Sequence, residues 1–341
     1  MASIDEIAKQ ANVSRSTVAA VLSGSANPTR KSAKRRAEHI RGIAEKMGYR
    51  PNTAAKAVST GRFGCATLLI TRSPHRSHFH PQLIGGLHDG LDQNGMHLTF
   101  AKLTDQEIAD EASVPKVLRE QMSDGLLINY TDHIPPALTA MIRSQGIPAV
   151  WINSAQDHDC VHPDDFQAGQ LAAERLIESG CRKPAYADFT RGPEDRNEAH
   201  YSEWERQHGF VQTIRKAGIE PRIIRDSCQL PIEQRYEAVC AVLDGPDRPD
   251  GVATPSLESI FVPAALSRGL DVPRDLRIVA IGEARAWVAG RFLDSVCYSP
   301  SDLGIAAGKM MHSKAEEPSK VLDCRTIPYR LILDSEPEHS D

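Results

Sequence analysis

No apolar run in the 341-residue sequence approaches the roughly 18 residues that a membrane-spanning helix needs. The segment from Ser3 onward is polar, so no secretion signal is expected. Aromatic residues make up only 5% of the chain, within an otherwise ordinary globular composition of 40% hydrophobic and 25% charged residues. The seven cysteines, at positions 65, 160, 181, 228, 240, 297 and 324, include no two close together. That spacing excludes a zinc finger, argues against a disulfide framework and fits a reducing compartment. Also missing are a Gly-x-Gly-x-x-Gly turn after a strand, a Gly-x-Ser-x-Gly elbow and a His-Glu-x-x-His helix, which removes the commonest dinucleotide, hydrolase and zinc-protease signatures. The stretch Gly304-Ile-Ala-Ala-Gly308-Lys309 has the flavour of a phosphate loop. It is one residue short, lacks the closing Ser/Thr and sits in a helical pattern.

What is present is a division of charge. Residues 1–62 hold twelve Lys/Arg against Asp5, Glu6, Glu38 and Glu45, a net of +8, while the remaining 279 residues carry 28 basic against 41 acidic side chains, a net of −13. A small basic head on a large acidic body points to a polyanion-binding module joined to something that must not bind polyanions. Nucleic acid is the expected partner.

The head begins with a capping box, Ser3-Ile4-Asp5-Glu6, followed by Ile4, Ile7, Ala8 and Ala11 at helical spacing. Ser14 offers a second N-cap, and Val18, Val21 and Leu22 give the next helix an inner face. A third helix is expected after Ser32, with Ala37, Ile40, Ile43, Ala44 and Met47 inward and a stop at Gly48. Three short helices around one core, the first two split by a tight turn, make a helix-turn-helix over residues 1–50.

The stretches IDEIAKQANVSRSTVAAVLSG and MGYRPNTAAKAVSTGRFG closely resemble the head of the lactose-repressor (LacI/GalR) family of bacterial transcription regulators. One departure is a longer loop between Ser23 and Lys31. The resemblance implies that the second helix enters the major groove with Ser14, Arg15, Ser16, Thr17 and Ala20 at or near the base edges. Arg15 can fork onto guanine, whereas Ala20 offers at most a methyl contact. Arg30, Lys31, Lys34, Arg35 and Arg36 are expected on phosphates, which position without specifying. Tyr49 and the hinge residues Asn52, Ala55, Lys56 and Val58, within 51–62, complete the expected DNA-contacting set. Residues 53–59 are too few for a helix that stands alone. The family's minor-groove wedge falls on Val58, which is smaller than the usual Leu.

From Cys65 onward, buried-strand runs alternate with helical segments as far as Ile281, which indicates parallel sheets covered on both faces. The fold class expected is therefore α/β, with an N-terminal helix-turn-helix head and a two-lobed, periplasmic-binding-protein-like parallel-sheet core over 63–341. The lobe boundary is expected near 160, with the chain crossing again near 285–325. Ligands in such sheets bind beyond the carboxyl ends of strands. The resemblance and that rule together nominate Phe79, His80, Tyr130, Asn153, Asp164, Asp165, Arg206, Gly282 and Glu283. Arg206 is the clearest, its fork suited to hydroxyls or carboxylates, and if buried it needs an anionic ligand or one of the two acids. Gly282 stands where relatives place an acid, which leaves the side chains that hold a simple hexose incomplete. His75, His78 and His80 cluster enough to suggest a metal, yet they read more simply as cleft-rim residues.

The expectation from sequence is a cytoplasmic, dimeric, DNA-binding regulator, a repressor, acting on a near-palindromic operator. Its affinity would be modulated by a small molecule such as a sugar or sugar acid, with no cofactor, no metal, no membrane and no catalysis. A periplasmic-type solute-binding protein without DNA function is the alternative.

Overall fold

A computed structural model describes residues 2–23, 26, 29–50, 57, 60–71, 80–103, 122–129, 136–189, 200–225 and 230–336. Asn52, Ala55, Lys56, Val58, Phe79 and Tyr130, with His75 and His78, lie outside the described residues. Two compact units emerge, Met1–Gly64 and Cys65–Asp341.

In the first unit, α1 (Ile4–Ala11), α2 (Arg15–Leu22) and α3 (Lys31–Lys46) enclose a core of Ile7, Ala8, Val18, Val21, Ala37, Ile40, Ile43 and Ala44. The capping box forms: the Ser3 amide donates to Glu6 Oε2 at 2.8 Å, and the Glu6 amide donates to Ser3 Oγ at 3.3 Å. Asn12, left-handed at φ 52°, ends α1 and sets the turn into α2. Ser14 Oγ accepts from the Thr17 amide at 3.2 Å and caps α2. The third helix starts at Lys31, ahead of Ser32, because its N-cap is the extended Arg30 rather than a serine.

The second unit holds two six-stranded sheets. The first comprises β1 (Cys65–Thr71), β2 (His97–Leu103), β3 (Leu126–Ile128), β4 (Ala149–Ile152), β5 (Cys160–Pro163) and the late β13 (Arg325–Ile327), in the order β13-β5-β4-β3-β1-β2, all parallel. The second comprises β6 (Pro184–Asp188), β7 (Arg222–Arg225), β8 (Gly251–Thr254), β9 (Arg277–Gly282), β12 (Asp294–Cys297) and β14 (Arg330–Ile332), in the order β14-β12-β9-β8-β6-β7, with only β14 antiparallel. A short hairpin, β10 (Trp287–Val288) with β11 (Arg291–Phe292), stands apart. The chain therefore passes between sheets three times: after β5, after β12, and between β13 and β14.

The helices in chain order are α4 (Pro81–Asp92), α5 (Pro136–Ser144), α6 (Asp165–Glu178), α7 (Tyr201–Lys216), α8 (Ile232–Asp244), α9 (Glu258–Leu266) and α10 (Pro300–Glu316). Two pairs pack closely, α4 with α10 and α6 with α7, and glycine makes both possible. Gly86 and Gly90 of α4 face the backbone of Ser301 and Ile305, while Gly304 and Gly308 of α10 face Leu83, Leu87 and Gly90. Gly169 of α6 likewise meets Arg206, and Gly209 of α7 meets Phe166. A Cβ at any of these would force the helices apart. The Gly304–Gly308 stretch that looked like a phosphate loop is a helix-packing surface.

The alternation read from sequence ends too early. Strands β5, β12, β13 and β14 are only three or four residues long. Polar residues interrupt them, His162 in β5, Asp294 and Ser295 in β12, Arg325 and Thr326 in β13 and Arg330 in β14, so no apolar run marks them and they are recognisable by their neighbours.

Candidate DNA-binding face and ligand cleft

On the head, Ser14, Arg15 and Ser16 are exposed at the start of α2, while Thr17 and Ala20 are half-buried behind them. Ser14 Oγ lies 2.8 Å from Thr17 Oγ1 and 3.0 Å from Ser16 Oγ, so the three hydroxyls form one adaptable donor–acceptor patch. Arg15 reaches Asp5 at 3.5 Å, but both side chains are more than half exposed, so the pair holds Arg15 weakly and is readily exchanged.

Lys31, Lys34 and Arg35 are exposed on the first turns of α3, which contain no acid, and Arg30 at the N-cap makes no side-chain capping bond. Cations there oppose the helix dipole, and the uncapped amides are donors waiting for an acceptor. Both features are relieved by a phosphate. Tyr49 is not a free surface residue: it is half-buried and packs on the head core beside Met47.

In the body, the nominated residues separate into those brought together and those spent elsewhere. His80 Nδ1 accepts from the Gln82 amide at 3.3 Å and caps α4. Asp164 Oδ1 accepts from the Gln167 amide at 3.0 Å and caps α6. Its neighbour Asp165 turns inward, 2% exposed, and pairs with Arg206 Nε at 2.9 Å. That answers which acid meets the arginine.

Around this pair sits a polar nest at the chain crossings. Tyr329, just past β13, donates its hydroxyl to Asp165 Oδ1 at 3.0 Å. Tyr298, just past β12, donates to Glu283 at 2.8 Å and packs edge-on against Tyr329, their centroids 5.2 Å apart. Arg206 also donates to Ser202 Oγ at 2.5 Å. The carbonyl of Asn153, left-handed at φ 52°, lies 2.8 Å from His200 Nε2, and its side chain accepts from Tyr201 at 3.5 Å. Gly282 opens onto space, with nothing within 4 Å of where a Cβ would stand.

Burial works against the Arg206 charge. Asp165 first, then the phenols of Tyr329 and Tyr186 and the carboxylate of Asp188, overcome it and hold the guanidinium protonated more firmly than usual. Burial, then Asp188, raises the Tyr186 phenol, and burial, then Asp165, raises that of Tyr329. All the tyrosines here are neutral hydrogen-bonding groups. In this nest Asp165 Oδ2 and the Tyr186 hydroxyl are buried without a hydrogen-bond partner among the described residues, and Arg206 Nε meets Asp165 as an ion pair without a hydrogen bond of good geometry.

Sequence reasoning missed Tyr186, Asp188, Tyr201, Ser202, Tyr298 and Tyr329. Asp188 ends β6 and was findable by the carboxyl-end rule. Tyr298 and Tyr329 follow strands whose polar residues, Asp294 and Ser295 or Arg325 and Thr326, hide them. No group of three or more metal-capable side chains occurs among the described residues.

A family model for the periplasmic binding proteins and sugar-binding domain of the LacI family matches residues 65–282, and one for bacterial regulatory proteins of the lacI family matches residues 3–52. The chain belongs to the LacI family. Its relatives include the HTH-type transcriptional repressor PurR of Shigella dysenteriae serotype 1, 25% identical over 98% of both chains, and that of Escherichia coli (strain SMS-3-5 / SECEC), 26% identical over the same share. Among solved structures, the lac repressor dimer bound to operator and the anti-inducer ONPF superposes with a TM-score of 0.74 over 97% of both chains at 16% identity. The transcriptional regulator CelR–cellobiose complex superposes at 0.62, covering 98% of this chain and all of that one, at 19% identity. This LacI-family chain is a DNA-binding regulator with an effector-type body, and its relatives are repressors rather than enzymes. No helix among the described residues is long and apolar enough to cross a membrane.

Proposed function

We propose that this LacI-family regulator is a cytoplasmic repressor that binds a near-palindromic operator as a homodimer. Each head reads one half-site through Arg15, Ser16 and Ala20, with Ser14 and Thr17 supporting them and Arg30, Lys31, Lys34 and Arg35 on phosphates. Residues 51–62 act as the hinge, with Val58 as its wedge. The body, 63–341, binds a small-molecule effector between its lobes at Arg206, Asp165, Asn153, Glu283 and the surrounding tyrosines, with Phe79, His80, Tyr130, Asp164 and Gly282 at the rim. Closure around the ligand shifts the population of lobe arrangements and, through it, operator affinity.

The orphaned Asp165 Oδ2 carries the reading of the ligand. A buried carboxylate oxygen lacking a donor is costly, and a ligand O–H or N–H satisfies it. An anionic group there would be repelled, and Arg206 is already matched by Asp165 at 2.9 Å. The effector class is therefore a neutral, donor-rich molecule, a sugar or neutral sugar derivative before a sugar acid. A nucleobase is the second reading, favoured by the edge-on Tyr298–Tyr329 pair, which offers a planar ring a wall to pack on.

A thermal-shift screen of the full-length protein against neutral sugars, sugar acids and nucleobases tests this, followed by calorimetry of the best ligand on Tyr186→Phe. The expected result is a neutral sugar that loses about tenfold or more in affinity when the Tyr186 hydroxyl is removed. Preferential binding of sugar acids, unaffected by Tyr186→Phe, would place the ligand elsewhere.

A further inference from the structure

Cys160 and Cys324 stand 164 positions apart in sequence, yet their sulfurs are 2.7 Å apart. The sheet explains this. Strand β13 pairs with β5 in parallel, Arg325 against Val161, so one step back sets Cys324 beside Cys160. Side chains at matched positions of adjacent strands share a face, and strands about 4.8 Å apart place their Cα atoms within the span of a disulfide.

The surroundings fix both partners. Asp159 Oδ1 accepts from the Leu322 amide at 3.0 Å, and its other oxygen accepts from Lys314 Nζ at 2.8 Å, pinning the approach to β13. Lys314 is itself buried. Both thiols point at the Gln156 carbonyl, 3.4 Å from Cys160 and 2.9 Å from Cys324. Cys160 is fully buried, whereas Cys324 is half-buried on the edge of the sheet.

We propose that Cys160 and Cys324 form a reversible disulfide under hydroperoxide, locking β13 onto β5. Cys324 is the entry point because it alone of the two is accessible. Its thiolate attacks the hydroperoxide, forming an S–O bond as the O–O bond breaks, and water leaves. The Cys160 sulfur then attacks the Cys324 sulfenic acid, forming S–S as S–O breaks, and its proton leaves with the hydroxyl as a second water. Two thiols and one hydrogen peroxide thus give one disulfide and two waters. Burial, then the hydrogen bond with Cys324, pushes the Cys160 thiol up to about 12, which suits the resolving partner rather than the first nucleophile. A small dithiol reverses the step.

The lock matters because of where the strands lead. Strand β5 runs into Asp165 and β13 into Tyr329, which hydrogen-bond to each other at the proposed ligand site. A link this distant in sequence also restricts the unfolded chain strongly.

The test treats full-length protein with a slight excess of hydrogen peroxide, counts thiols in denaturant, and maps the linked peptides by mass spectrometry. Expected are a loss of two of the seven thiols, a single linkage joining the Cys160 and Cys324 peptides, and full recovery with dithiothreitol. The melting temperature should rise on oxidation of the wild type and stay unchanged in Cys324→Ser, a half-exposed position where the substitution is tolerable. Seven thiols still free, a linkage through another cysteine or between two chains, or Cys324 recovered only as sulfinic acid would each overturn the proposal.

Discussion

Replacing Asp165 by asparagine isolates what its buried pair with Arg206 contributes. The substitution keeps the shape and the acceptor for Tyr329 but leaves the Arg206 guanidinium, 19% exposed, without its charge partner at 2.9 Å. Removing one member of a buried pair costs about 3–5 kcal/mol, because the remaining charge is left uncompensated. Asp188, which also stabilises Arg206, stays in place, so the lower end of that range, about 3 kcal/mol, is expected. For a body of this size, that corresponds to a drop of about 5 °C in its melting transition. Calorimetry of full-length Asp165→Asn, Arg206→Gln and the double variant closes a cycle. The double variant should lose less than the two singles combined, with a coupling of about 2 kcal/mol or more. A second consequence is chemical: an unpaired Arg206 should give Asp165→Asn an affinity for sugar acids that the wild type lacks. A loss below about 1 kcal/mol, with additivity to within about 0.5 kcal/mol, would refute the idea that this pair organises the site.

Other outcomes are open to direct measurement. Arg15→Ala should cost about 1–3 kcal/mol on the preferred operator and relax one base position, whereas Arg35→Ala should weaken all duplexes alike and flatten the salt dependence; binding titrations on selected and scrambled DNA separate them. Lys314 and neighbouring donors outweigh burial and hold the Asp159 carboxyl below its ordinary 3.8. Its contribution to stability is therefore present above that value and lost as pH falls through the lower folded-state value. Acid titration of Asp159→Asn should show a less stable protein at neutral pH whose stability falls less steeply below about pH 4. Gly304→Ala places a Cβ 2.5 Å from the Leu87 amide nitrogen. Overpacking of about 1–3 kcal/mol should outweigh the ~1 kcal/mol gained in helix propensity. By contrast, Gly42→Ala, in α3 with nothing within 4 Å, should raise head stability by up to ~1 kcal/mol in thermal melts.

Local order explains what could be read directly from the residues. The capping box at Ser3–Glu6, the N-cap at Ser14 and the inward periodicity of Val18, Ile40 and Ile43 act within one or two turns, so the head was legible. The strand–helix rhythm through Ile281, apart from β5, was legible for the same reason. Arg206 and Asp165 could be nominated, but only the packing of α6 on α7 showed that they neutralise each other, leaving Asp164 to cap a helix. At the crossings, whose approximate places came only from the family resemblance, the strands themselves are made by tertiary structure. Strands β12, β13 and β14 carry polar residues where an apolar run would mark them, so pairing with distant neighbours, rather than their own pattern, makes them strands. Those pairings deliver Tyr329 to Asp165 and Tyr298 to Tyr329, and bring Cys324 against Cys160. Cysteines that look scattered along the chain become a pair because parallel register is set by contacts across the sheet, which no local spacing records.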